Sequence, residues 1–135
     1  MSLHLKIIQP TRTIIDTECE HVIIPGIAGD FGVSPEHTPF MTKIRPGTLI
    51  VYYKDKKINK DVFAIHDGFV TIEKNTVRIV CEVIELYQEI DKNRAEKARK
   101  RAEDRMAATD AEIDYRRAEL SLKRALARIQ SISDH

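Results

Sequence analysis

Apolar and polar residues alternate along the first half of the chain and then change to a helical spacing. Leu3, Leu5 and Ile7 alternate with His4 and Lys6, and Leu49, Val51 and Tyr53 alternate with Thr48, Ile50 and Tyr52. That period of two turns one face of a strand toward a core. Phe69-Val70-Thr71-Ile72 and Val77-Arg78-Ile79-Val80-Cys81 flank Lys74-Asn75, a pattern that predicts a tight hairpin. Turn signals at Thr11-Arg12, Gly26, Pro46-Gly47 and Lys54-Asp55 recur about every ten residues, the spacing of an antiparallel β-sandwich or flattened barrel.

From about Ile90 the period becomes helical. Ala111, Tyr115, Ala118, Leu122, Ala125, Ile129 and Ile132 step by four and three, and Ala95, Ala98, Ala102 and Met106 form a shorter stripe. Thr109-x-x-Glu112 has the form of a capping box, so the turn between two antiparallel helices is expected near residues 107–110. All five glycines and all five prolines lie at or before Gly68, a composition boundary between the two halves. The fold class is therefore α+β: a mainly β unit over residues 1–88, then a two-helix hairpin over 89–135. Because the strands contain nearly all the large apolar residues, a fragment ending near Gln88 is expected to fold alone. The first helix offers mostly alanine methyls, at roughly 0.8 kcal/mol per buried carbon, so the folded-back hairpin is expected to be marginal. Straightened from Asp91 to Ile132, the arm would reach about 60 Å.

Charge and cysteines narrow the function classes. With 22 Lys/Arg against 21 Asp/Glu, the net charge of +1 gives no argument for nucleic acid or for an anionic membrane. Cys19 and Cys81 are too few for a disulfide framework, and Cys81 continues the Val77, Ile79, Val83 face of its strand as a packed thiol. His4, His21 and His66 stand singly on strands, without the clustering a metal site needs, and are expected to be surface or satisfied residues. The first residues enter a strand pattern at once, and no window reaches the roughly 20 apolar residues of a membrane span. A cytosolic chain is expected, held at a membrane only through partners.

Two stretches stand out chemically. Residues 26–39 hold three glycines and three histidine- or proline-bearing positions, Pro35, His37 and Pro39, around few apolar residues. Such a loop is either a tight corner between sheets or a shape held for docking. The second stretch is Ile90-Asp91-Lys92-Asn93-Arg94-Ala95, with Arg101 beyond it and Arg124 and Arg128 at i, i+4 on the second helix. On antiparallel helices these four guanidiniums would share a face and repel unless an anion or acidic surface met them. The alternative is a plain N-cap at Asp91 and a solvated face balanced by Glu96, Glu103 and Glu119. Nucleophile elbows, phosphate loops and zinc protease motifs are absent from the sequence.

Gly29-Asp30-Phe31-Gly32-Val33 followed by Pro35, His37 and Pro39 resembles the signature loop of the epsilon subunit of bacterial F-type ATP synthases. Ile-Asp-x-x-Arg-Ala at 90–95 is similar to the nucleotide-binding motif of a subset of those subunits, and Arg-Ala-Leu-Ala-Arg at 124–128 looks like the same subset. The resemblance covers the whole chain. It implies a non-catalytic central-stalk subunit whose sandwich binds the gamma subunit and the c-subunit ring, with Gly29–Pro39 as a docking feature, Asp30 facing the ring and His37 near gamma. It implies an arm that contacts gamma and, extended, the catalytic alpha and beta subunits, acting as a brake on ATP hydrolysis. No cofactor is required on this reading; ATP, alone or with Mg, is a regulatory ligand of Asp91, Arg94, Arg101, Arg124 and Arg128, with Glu85 a weaker match. A monomer when isolated, peripheral at the cytoplasmic face of the plasma membrane, is expected. A stand-alone β-sandwich adaptor with a helical partner-binding arm is the competing class. A sandwich enzyme or sugar binder is a third, disfavoured by 6% aromatic residues and no Trp.

Overall fold

Strand β1 (Leu3–Gln9) turns into β2 (Arg12–Cys19), and β3 (His21–Gly26) turns through Ile27-Ala28 into β4 (Gly29–Val33). β5 (Phe40–Ile44) and β6 (Gly47–Tyr52) precede two long strands, β7 (Lys60–Glu73) and β8 (Thr76–Leu86). A short 3-10 turn at Tyr87–Glu89 leads to α1 (Lys92–Ala108) and α2 (Glu112–Asp134). The computed structural model describes residues 2–54, 60–108 and 111–134, with side chains through Ile132. The expected capping box at Thr109 and half of the expected Lys54-Asp55 turn fall outside the described residues.

The strands run in the order β2-β1-β8-β7-β5-β3-β4, with β6 paired to both β3 and β7. Their alternating residues close on one core, from Leu3, Leu5 and Ile7 of β1 to Val77, Ile79 and Cys81 of β8, and every strand contributes. Among the described residues no helix residue enters that core. The β7–β8 hairpin turns where expected: Lys74 and Asn75 both have positive φ, 49° and 61°, matching the twist of the flanking strands. Asn75 also holds its surroundings, its carbonyl accepting the His4 N–H at 2.8 Å and its side chain accepting the Glu36 N–H.

Two expectations need correcting. The sandwich is not purely antiparallel, because β1 lies parallel to β8 from His4↔Thr76 to Ile8↔Val80. Alternation reports which face of a strand is buried but not the direction of its neighbour, and only the long crossover between these two strands allows the parallel pair. Pro46-Gly47 is also not a chain reversal. β5 and β6 both run antiparallel to β7, in one continuous register from Phe40↔Ile72 to Tyr52↔Lys60. Arg45-Pro46 interrupts what is otherwise one strand, since proline cannot donate to the ladder. The interruption is stitched to the β3 segment instead, with Arg45 N–H donating to the Pro25 carbonyl at 3.0 Å and Ile27 N–H to Lys43 at 2.9 Å.

Across from that break, β7 carries Asp67 in the left-handed region at φ 58° and then Gly68. A Cβ at Gly68 would fall on the Val80 carbonyl oxygen and lie 3.0 Å from Cys81 Cα, both backbone. Neither can yield without opening the β7–β8 ladder. Gly68→Ala is accordingly expected to lower stability by about 1–3 kcal/mol, the cost of overpacking a close backbone approach. Urea denaturation of the full chain checks this, and an unchanged midpoint would show that the ladder accommodates the methyl.

On β7 the alternation fails: Val62, Phe63, Ala64, Ile65 and His66 are all buried. Phe63 and Ile65 face the core, while the opposite face is covered by α2, which packs on β6 and β7. Strands buried on both faces lose their period-two signature. α1 packs in turn on α2, and the buried residues of α1, Ala95 and Ala102, are alanines, as are Ala118 and Ala125 on α2. Methyl-sized side chains at these positions allow close approach of the two backbones with little apolar burial.

Candidate nucleotide cleft and docking surfaces

Asp91 sits one residue ahead of α1 and accepts the Arg94 N–H on Oδ1 at 3.1 Å, satisfying one of the free donors of the first turn. The N-cap role is thus real, and it points the first turn of α1 at a cleft of about 370 Å³. Glu85, Glu89, Ile90, Asp91, Arg94, Ala95, Ala98 and Arg128 line it, so the end of β8, the 3-10 turn and both helices contribute. That volume lies in the range of small-molecule sites. Arg128 Nε donates to Glu85 Oε1 at 2.7 Å, each side chain about 30% exposed. Arg94 has no ion pair among the described residues and is exposed.

Of the six residues expected to form a nucleotide site, four come together: Glu85, Asp91, Arg94 and Arg128. Arg101 is exposed on α1 outside the cleft, and Arg124 turns toward the sandwich, where its Nη2 donates to Asp67 Oδ2 at 2.7 Å. The four-arginine face therefore does not form. On α2, positions 124, 128 and 131 face the strands whereas 118, 122 and 125 follow the seam toward α1, a rotation that spacing along one helix cannot reveal. The repulsion argued from the sequence is met inside the chain by Asp67 and Glu85.

Asp67 and His66 are the residues that sequence reasoning missed. His66 is 5% exposed, hydrogen-bonds through Nδ1 to Asp67 Oδ2 at 3.0 Å, and leaves Nε2 buried without a partner. It is neither a surface residue nor fully satisfied, contrary to expectation. Burial is the main cause holding its pKa below the usual histidine value, with Asp67 opposing and Arg124 and Arg128 assisting. The missed signal was the unbroken apolar run before it, which marks a strand covered on both faces. One more polar tie joins α2 to the strands, Ser131 Oγ lying 3.1 Å from Thr48 Oγ1. Cys19 and Cys81 are buried, and burial pushes both thiols up to about 11. They are packing residues, as expected of Cys81.

The Gly29–Pro39 stretch is an edge strand plus a connector rather than one loop. Gly29, Asp30, Phe31, Gly32 and Val33 form β4, at the end of the strand order. Val33 enters the core, and Phe31 packs against the core and meets Phe40 edge-on with ring centres 5.4 Å apart. Gly29, at φ 135°, closes the turn after Ala28, while a Cβ at Gly32 would press on the His21 ring at 2.9 Å. Asp30 forms an ion pair with Arg45 yet remains 61% exposed. Beyond β4, Pro35 and His37 are half-buried and Pro39 is exposed, with His37 Nδ1 bonding the Thr38 carbonyl at 2.7 Å. Much of the motif maintains its own shape; Asp30 and Pro39 within it, and Ile27, Phe40 and Met41 flanking it, are exposed.

Among the described residues no group of three or more His, Cys, Asp or Glu side chains is placed to hold a metal, and no helix is long and apolar enough to cross a membrane. A β-sandwich with its own core, carrying a two-helix hairpin whose second helix packs on β6 and β7, defines the class of the chain. Comparison with known proteins gives the family. The beta-sandwich domain of the ATP synthase delta/epsilon chain matches residues 2–87, and the long alpha-helix domain of the same family matches residues 88–133. An ATP synthase epsilon chain of Nitratidesulfovibrio vulgaris is 39% identical over 129 residues, covering 96% of this chain and 94% of its own length. One from Moorella thermoacetica is 37% identical over 130 residues, covering 96% of each. The chain belongs to the ATP synthase epsilon-chain family and is a non-catalytic subunit. Its fold recurs in a structure of the Euglena gracilis mitochondrial ATP synthase, with a TM-score of 0.87 at 22% identity over 97% of this chain and 81% of that one. A Tetrahymena thermophila mitochondrial ATP synthase structure gives 0.68 at 11% identity, covering 98% and 97%.

Proposed function

We propose that this chain is a central-stalk subunit that joins the gamma subunit and the c-ring through its sandwich, and brakes ATP hydrolysis through its helical arm. The structures that share its fold are titled as assemblies with F1 and the c-ring, or with the central stalk and c-ring. The observation that carries the regulatory half is the imbalance between the two units. Among the described residues the sandwich core draws on all eight strands and on no helix residue, whereas the arm lies on the outer face of β6 and β7 through α2, with polar ties at Arg124–Asp67, Arg128–Glu85 and Ser131–Thr48. Such an attachment can be exchanged for contacts with the alpha and beta subunits without unfolding the part that stays docked. ATP, alone or with Mg, is the proposed regulatory ligand, held in the cleft at the start of α1. Bound there it bridges α1, α2 and the end of β8, and so favours the closed arm. The subunit sits peripherally at the cytoplasmic face of the membrane, through the complex alone.

The docking half is tested by mixing the isolated full chain with purified gamma subunit. A stoichiometric complex on size-exclusion chromatography is the expected result, reduced by Asp30→Lys only when the c-ring is present. Failure to form any complex with gamma, while each protein is folded and monodisperse, would leave the stand-alone adaptor as the better account.

A further inference from the structure

The attachment of α2 to the sandwich passes over a histidine whose environment has no place for a second proton. His66 lies on the outer face of β7 beneath α2, with 7% of its side chain exposed. Its Nδ1 and the Arg124 Nη2 share one oxygen, Asp67 Oδ2, at 3.0 and 2.7 Å. A strand residue, its neighbour and a helix residue are thereby linked through a single carboxylate. Asp67 holds the left-handed region at φ 58°, directly before Gly68.

We propose that this contact is a proton-operated latch: protonation of His66 releases α2, and with it the arm, from the sandwich. The charges facing the ring are few. Asp67 comes from its own strand, and Arg124 and Arg128 from α2. Across the β8 ladder its partner is the apolar Val83, and Glu85, two residues further, is occupied by Arg128. On the other side the register places Pro46 opposite His66, and Arg45 beside it is engaged by Asp30. The two arginines are thus balanced by the two carboxylates while the ring is neutral. A protonated ring adds one positive charge beside Arg124 and turns the buried Nε2 from an acceptor into a donor, again without a partner in reach. Sliding α2 away gives the imidazolium water and relieves both penalties.

The direction with pH follows. The docked form resists protonation, so the released form binds the proton more readily. The latch is therefore firm above about pH 6.5, the ordinary histidine value, and loosens as the pH falls below it. The other described histidines, His4, His21 and His37, pair with Asp16, Ser34 and the Thr38 carbonyl, away from α2.

Hydrogen exchange of the full-length chain without nucleotide tests the latch independently of the ATP proposal. Rates are corrected for the intrinsic pH dependence of exchange. Between pH 7.5 and 5.5, the amides of α2 that face the strands should lose up to about tenfold in protection, while those of β8 around Val77 and Ile79 stay constant. In His66→Gln, which cannot take up the proton, the α2 amides should show no such loss. An unchanged wild-type profile, or a loss that persists in His66→Gln, overturns the proposal. Should His66→Gln fail to fold, the ring of His66 in the wild-type chain, followed by NMR, decides instead. Its titration midpoint must coincide with the loss of α2 protection, and separate midpoints overturn the latch.

Discussion

Deleting everything after Gln88 is expected to raise ATP hydrolysis by the assembled complex about tenfold at low ATP while leaving assembly intact. The sandwich is expected to survive because its core cluster runs from Leu3 to Cys81 and includes nothing from the arm. What the deletion exposes is one face of β7, at Val62, Ala64 and His66, so the shortened subunit should be less stable but folded. The gain in rate follows from population. If the extended, inhibitory arm is favoured by about 1.4 kcal/mol at low ATP, roughly nine complexes in ten are held back, and removing the arm frees them. Charge reversal at Arg116 and Lys123 should act in the same direction, with an effect that shrinks at high salt. Arg116 and Lys123 are well exposed and, among the described residues, paired with Glu112 and Glu119 on their own helix, so they are available to an acidic partner. The measurement is steady-state hydrolysis by complexes with full-length and shortened subunits. Equal rates at low ATP would remove the regulatory role from the arm.

The second large effect is expected at Arg94. Glu85, Glu89 and Asp91 line the same cleft, two of the three acids uncompensated, so an entering polyphosphate meets more negative charge than positive. Arg94 is the cation there that holds no ion pair among the described residues, and Arg128 must leave Glu85 to take part. A charge-assisted bond of ~1.5–3 kcal/mol at Arg94 translates into a loss of roughly ten- to a hundredfold in ATP affinity for Arg94→Ala. Mg with the nucleotide should strengthen binding by offsetting the carboxylates. Arg101→Ala and Arg124→Ala should weaken it less, since the first lies outside the cleft and the second is committed to Asp67. Calorimetry reads the affinities directly, and a melting-temperature rise with ATP in the wild type reads the same coupling. Absence of both heat and thermal shift at millimolar ATP would dismiss the site.

Fold class, the change from strands to helices, and the Lys74-Asn75 turn were legible in the sequence because each is a local pattern. Alternation, heptad steps and positive-φ turn residues announce themselves within a dozen positions. The parallel β1–β8 pair was not, since Leu3, Leu5 and Ile7 alternate identically whichever way the neighbour runs. Pro46-Gly47 was misjudged for a related reason: a proline that breaks a strand and one that reverses the chain look alike until the register along β7 is known. Asp91 and Arg94, singled out through their motif, both line the cleft, and the N-cap expected of Asp91 is present. Arg124 was misplaced because spacing fixes which residues share a helix face but not what that face meets. Asp67 carried no pattern at all. Its role depends on α2 crossing β7, a contact between residues 57 positions apart.

The parallel pairing of the first and last strands also sets an order in time. β1 can fold back on β2 as soon as both have been made, but its other edge waits for β8, some 70 residues further along the chain. At about 5–20 residues per second of synthesis that wait lasts roughly 4–14 s. Throughout it the β1 edge stands open, and mispairing with another nascent chain competes with closure. The helices are made only after β8, so the arm emerges from the ribosome beside a sheet whose last strand is already available, and meets its docking face on β6 and β7 as a finished surface.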